Sequence, residues 1–300
     1  METKRRLVLI SLLSLGLLAV IPTHAARAIG IGEVAGQPTK GVTGTTETVA
    51  DIMRRQALLP PEELNEQEDD DVEWPDRTNL PQNPASPSVS QSPESPAGLK
   101  SVPGGIPVLS PQTVGTNFTA ATLSGANPTS AYPPDCMGAV GPTQYVVFVN
   151  GRLVTFNKTT GVGDGVINAT SNAFFTSVRN GSGTSDPRIR YDRLTGRWFL
   201  VIINVSTPNR ILLAVSDAAS AGVISAGTVF TYFYIPIDSS PPAISNTCLA
   251  DYPTLGLDAN ALYIGTNNFC GSPQTYNSTD GYVIRKSSIL GTGPIVVTAF

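Results

Sequence analysis

Apolar and polar positions divide the chain into a front part with little periodicity and a back part dense in short alternating runs. Residues 145–149 (Tyr-Val-Val-Phe-Val) and 152–156 (Arg-Leu-Val-Thr-Phe) flank Asn150-Gly151. Asn-Gly between two such runs predicts a β-hairpin with positive φ at both turn residues. Further runs at 188–191, 198–205, 211–215, 228–235, 254–257, 261–266, 281–285 and 294–299 bring the expected strands to ten. They are rich in Val, Ile, Thr, Tyr and Phe and bounded by Gly, Pro, Asn or Asp, the residue types of strands and tight turns. One amphipathic stretch, residues 49–59 with Ile52, Met53, Leu58 and Leu59, predicts no more than a short, transient helix stopped by Pro60-Pro61.

Turn chemistry recurs along the back part. Phe156-Asn157-Lys158-Thr159-Thr160-Gly161 and Tyr191-Asp192-Arg193-Leu194-Thr195-Gly196 share an aromatic, an Asn or Asp, a base and a closing Thr-Gly at an offset of 35 residues. Asp135, Asp186 and Asp251 each stand just ahead of a run. Repeated turns in a strand-only chain point to radially repeated small antiparallel sheets, as in a β-propeller. At about four strands per blade, ten strands fall short of a closed ring. The apolar run at 294–299 also ends the chain as a bare edge. The expectation is an all-β, β-propeller-like domain over residues 111–300, truncated at its C-terminus.

Composition changes the picture mainly at the front. Charged residues are only 14% of the 300, with 28 Gly and 25 Pro, which points away from a helical bundle. Lys4, Arg5 and Arg6, the apolar run at 7–20 and the small-x-small site Ala26-Arg27-Ala28 read as a signal peptide over residues 1–28. The protein is therefore expected to be secreted, extracellular or at the cell surface. The apolar run is short for a membrane span of roughly 20 residues, so no stable span is expected after cleavage. Residues 29–110 read as a disordered linker, with nine acids between residues 62 and 76 and nine prolines between 75 and 111. Beyond residue 110 there is no Glu, and nine Asp face ten Lys and Arg. The overall charge of −4 argues against a nucleic-acid partner.

The chemistry narrows further at His24, the single histidine, which leaves with the signal peptide. A mature chain without imidazole has no Ser-His-Asp or Cys-His nucleophile pair and no His-containing zinc site. Of the three cysteines, Cys248 and Cys270 bracket a strand-turn-strand unit and are expected to form a disulfide in an oxidising compartment. Cys136 is left over.

Three motifs carry a resemblance. Pro133-Pro134-Asp135-Cys136-Met137-Gly138-Ala139-Val140-Gly141-Pro142 with Tyr145, then Asp186-Pro187 leading to Tyr191-Asp192 and Arg197-Trp198, then Asp251-Tyr252-Pro253-Thr254-Leu255-Gly256 resemble secreted bacterial β-propeller-like ectodomains. The resemblance spans about residues 130–270 and implies the fold and export. It implies no substrate, since that group has no established activity. Cys136 departs from the polar residue usual after the first aspartate.

Candidate ligand-binding residues are Asp135, Asp186, Asp251, Arg188 and Arg190. The three aspartates, at equivalent blade positions, would ring one end of a channel, where carboxylate oxygens suit Ca2+. Stabilising turns through their own backbone is the blander role for Asp. Strand alternation puts Arg188, Arg190 and Asp192 on one face and Ile189 and Tyr191 on the other. Two guanidiniums together suit carboxylates, sulfates or acidic sugars, against a plain salt-bridged face with Asp186 and Asp192. Trp198, Phe199, Tyr232, Phe233 and Tyr234 read as core before they read as a sugar platform. No catalytic residue is assigned. The leading expectation is a secreted, non-catalytic binding or adhesion-type module for an extracellular glycan or protein. A carboxylate-dependent polysaccharide hydrolase or lyase and a structural envelope or matrix component are the alternatives.

Overall fold

In a computed structural model of the chain, residues 35–60, 115–219, 221–237 and 248–300 are described. The expected signal peptide, the acidic block and the proline run lie outside these residues.

Two short strands and a helix come first: β1 (Pro38–Lys40), β2 (Thr45–Thr48) and α1 (Val49–Leu58). A four-stranded antiparallel meander follows, β3 (Met137–Val140), β4 (Gln144–Val149), β5 (Arg152–Asn157) and β6 (Gly163–Ala169). After the one-turn helix α2 (Ser171–Phe174), a second meander runs through β7 (Thr184–Asp192), β8 (Arg197–Asn204), β9 (Arg210–Ser216) and β10 (Val229–Pro236). The third sheet comprises β11 (Leu249–Asp251), β12 (Gly256–Leu257), β13 (Ala261–Cys270), β14 (Thr275–Arg285) and β15 (Val296–Ala299). The architecture is all-β, built of several small antiparallel sheets.

Sheet two is covered on both faces, which explains the unbroken apolar run Trp198-Phe-Leu-Val-Ile-Ile203 in β8. Trp198, Leu200 and Ile202 share a core with Val146, Phe148, Leu153 and Ile167 of sheet one. Phe199, Val201 and Ile203 share another with Leu262, Ile264, Tyr282 and Ile284 of sheet three. The period-2 alternation of one strand thus feeds two cores. Trp198, Phe199, Tyr232 and Phe233 are fully buried and serve as packing.

Residues 36–59 differ from the expected linker, because they are built into the head. β2 pairs with β10 (Thr231↔Thr46) and β1 with β15 (Thr39↔Val297). The expected bare edge at 294–299 is therefore closed on both sides, by β14 and by β1. Helix α1 is capped by the Thr48 hydroxyl, which accepts from the Asp51 N–H, and it buries Val49 and Ile52 in the first core. Leu58 and Leu59 stay exposed. A ten-residue amphipathic helix is marginal alone, and packing against sheet one and α2 makes it stable.

The hairpin at Asn150-Gly151 forms with Val149 opposite Arg152, but only Gly151 has a positive φ, +78°. A Cβ there would sit 1.8 Å from the Thr129 carbonyl oxygen. The two Thr-Gly turns share one construction. Asn157 Oδ1 accepts from Thr159 N–H and Thr160 N–H, and the Asp192 carboxylate accepts from Leu194 N–H and Thr195 N–H. They nevertheless join different strand pairs, β5 to β6 and β7 to β8, so they are common turn chemistry rather than a structural repeat.

Candidate functional site

The three aspartates each fall in or next to an edge strand of a different sheet. Asp135 stands two residues before β3, Asp186 lies in β7 and Asp251 ends β11, each the strand at one edge of its sheet. A left-handed backbone residue accompanies each: Asp135 (φ +39°), Asp186 (φ +62°) and, next to Asp251, Tyr252 (φ +49°). Asp tolerates this conformation; a tyrosine does so only when its surroundings hold it there.

The structure brings the three carboxyls together at Asp186. That residue is only 2% exposed, while Asp135 and Asp251 are half-buried. Burial first, then hydrogen bonding to the Asp135 and Asp251 carboxyls and the charge of Asp251, pushes the Asp186 pKa up to about 9. The Tyr252 N–H donates to Asp186 Oδ2 at 3.0 Å and partly opposes that rise. With its pKa near 9, Asp186 is a neutral carboxylic acid at pH 7.

Asn150 is the residue that sequence reasoning missed. Its Nδ2 donates to Pro133 O at 2.8 Å and to Asp135 Oδ2 at 3.1 Å, and its Oδ1 accepts from Asp186 N–H at 2.9 Å. The Asn-Gly pair signalled a turn. The same asparagine also ties sheet one to sheet two, and its side chain is committed to those partners while Gly151 alone takes the left-handed turn.

The two arginines part company. Arg188 is buried, with Nη1 donating to Pro187 O at 2.7 Å and its guanidinium 4.4 Å from the Tyr252 ring centroid. Its Nη2 has no hydrogen-bond partner among the described residues. Arg190 is exposed and donates to Ile189 O. They present no common open fork. Asp192 pairs instead with Lys286 at 2.5 Å, both nearly fully buried. Burial alone would raise its pKa, but the Lys286 ammonium and the Thr195 hydroxyl hold it below the ordinary value.

Other parts of the motifs serve packing. A Cβ on Gly138 would lie 2.4 Å from the Tyr145 hydroxyl, and one on Gly141 would lie 2.4 Å from the Trp198 ring. Trp198 Nε1–H donates to Gly222 O at 2.9 Å, and its ring packs on Tyr191 with centroids 4.9 Å apart. The glycines between Met137 and Pro142 are thus required by aromatic side chains of sheets one and two.

Cys248 and Cys270 form the expected disulfide, joining the start of β11 to the end of β13 with Cα atoms 4.1 Å apart. Cys136 is a free, exposed thiol. Among the described residues no group of three His, Cys, Asp or Glu side chains is arranged to hold a metal ion, and the aspartates meet pairwise around Asp186. No helix among the described residues is long and apolar enough to cross a membrane.

A cavity of about 740 Å³ lies on the face of sheet one opposite the first core, between Val147 and Val149 on the sheet and residues 116–132 above. None of its lining residues is charged.

No protein-family model, curated protein or solved structure matches the chain.

Proposed function

We propose that the three sheets, with β1, β2 and α1, form a propeller-like, non-catalytic head that is exported and recognises a surface polymer or protein. The propeller-like arrangement is supported by three antiparallel meanders following one another in the chain, with an aspartate in or next to an edge strand of each meeting around one point. In a propeller the first strand of each blade lines the central axis. The Cys248–Cys270 bridge supports an oxidising, extracellular setting.

The non-catalytic reading rests on one observation: the acid with the most perturbed pKa, Asp186, is closed off from solvent and held by Asn150, Tyr252 N–H and two carboxyls. The cavity on sheet one has no acid in its lining. A polysaccharide hydrolase or lyase is the second reading, favoured by that same raised pKa, because a neutral carboxyl at pH 7 is what general-acid catalysis requires. The two are separated by incubating the purified chain with neutral and acidic polysaccharides and assaying for new reducing ends or unsaturated products. The expected result is no product from any of them. Turnover that Asp186→Asn abolishes while the fold is kept establishes the enzyme instead.

A further inference from the structure

We propose that the cavity on the outer face of sheet one is a binding groove for a neutral oligosaccharide. The inference rests on the binding-head reading above and names its ligand class.

Three rings line the groove: Phe118, Tyr132 and Tyr145. Tyr132 is 65% exposed and touches no other ring among the described residues, so it contributes little to the fold as it stands. Tyr145 and Phe118 meet edge to face with centroids 6.1 Å apart, and Phe118 also leans on Phe156, so these two are held in place. The hydroxyls of Tyr132 and Tyr145 and the carboxamide of Asn117 have no hydrogen-bond partner among the described residues. A pyranose offers the matching chemistry, with C–H faces for the rings and an equatorial rim of hydroxyls for the unpartnered polar groups. A small number of polar groups set among apolar walls is the usual composition of a ligand site.

Charge selects within the sugars. The absence of Lys or Arg from the lining leaves an acidic sugar with no counter-charge, and the absence of Asp or Glu leaves a cationic ligand with none. The same lack of carboxylates means the groove holds a glycan without cleaving it. A volume of about 740 Å³ lies within the usual range for a ligand cleft.

Cys136 supplies a native reporter, because it lines the groove, is exposed and is the single cysteine outside the disulfide. The test uses the full chain with cellohexaose, chitohexaose and maltohexaose, and hexagalacturonate as the acidic control. Binding is followed by calorimetry, and Cys136 by its rate of alkylation with N-ethylmaleimide. At least one neutral hexasaccharide is expected to bind and to slow alkylation several-fold, with no effect from hexagalacturonate. Tyr132→Ala, at an exposed position, is expected to weaken binding at least tenfold and abolish the protection. Tyr145→Phe, which removes only a hydroxyl, should weaken it less.

If none of the neutral sugars binds, the groove assignment is overturned. A sugar that binds with Cys136 unprotected and Tyr132→Ala without effect also overturns it, while leaving the binding-head reading standing. Release of new reducing ends overturns the non-catalytic reading beneath both.

Discussion

Asp186 concentrates the electrostatic strain of the molecule in one carboxyl. Its folded pKa, near 9, stands far above the ordinary value of 3.8, so between those limits the folded head holds a proton that the unfolded chain releases. Stability from this group is therefore fully present below about pH 4 and is lost as pH rises through about 9, with a slope approaching 1.4 kcal/mol per pH unit for one proton. Asp192 acts in the opposite sense: its lowered pKa gives stability above its ordinary value that is lost as pH falls through the folded one. Thermal unfolding followed by circular dichroism should accordingly show the highest melting temperature near pH 4 to 5 and a decline toward pH 9. Asp186→Asn keeps an acceptor for the Tyr252 N–H and removes the titrating proton. It should raise stability at pH 8 by roughly 1 to 3 kcal/mol and flatten the decline. An unchanged profile in that variant would exclude Asp186 as its source.

At the scale of elements, helix α1 and the disulfide are where local signal and tertiary context can be separated. The spacing of Val49, Ile52 and Met53 is amphipathic, yet the ten residues become helix because a capping threonine and a waiting core fix them. Ile52→Ala should cost about 2 to 4 kcal/mol of global stability, as for a buried isoleucine in a core. A denaturant midpoint equal to that of the parent would return residues 49–58 to the status of a linker. The Cys248–Cys270 bridge closes a loop with a sequence separation of 22, and in the chain-entropy picture it contributes about 3 kcal/mol. Replacing both cysteines by serine should lower stability by about that amount, whereas a shift below about 0.5 kcal/mol would mean that β-pairing of β11 with β13 already constrains the loop.

In the whole molecule, sheet two is the shared member of both principal cores, and a buried ion pair adds to its hold on sheet three. Lys286, in the 3-10 turn after β14, reaches Asp192 of β7 and also donates to Asp258 O at 2.7 Å. Removing the cation leaves a buried carboxylate without its counter-charge, so Lys286→Met should cost about 3 to 5 kcal/mol. Because neither core belongs to one sheet, calorimetry of the parent should show a single unfolding transition; two resolved transitions would mean that the sheets are energetically separate. Much of this was legible in the chain. Alternating runs located ten strands, Asn, Asp and Gly marked the turns, and the cysteine spacing and the recurrence of Asp135, Asp186 and Asp251 pointed to a true bridge and a true cluster. These are local signals, set by side-chain period and turn stereochemistry. The strands that escaped notice, β1, β2, β3, β6 and β11, are short or glycine-containing and carry little periodicity of their own. Tertiary structure alone decided that residues 36–59 join the head, that Arg188 is buried while Arg190 is in solvent, and that Asn150 links two sheets. Each depends on what packs against a residue from far along the chain, and the residue's own neighbours carry no record of that.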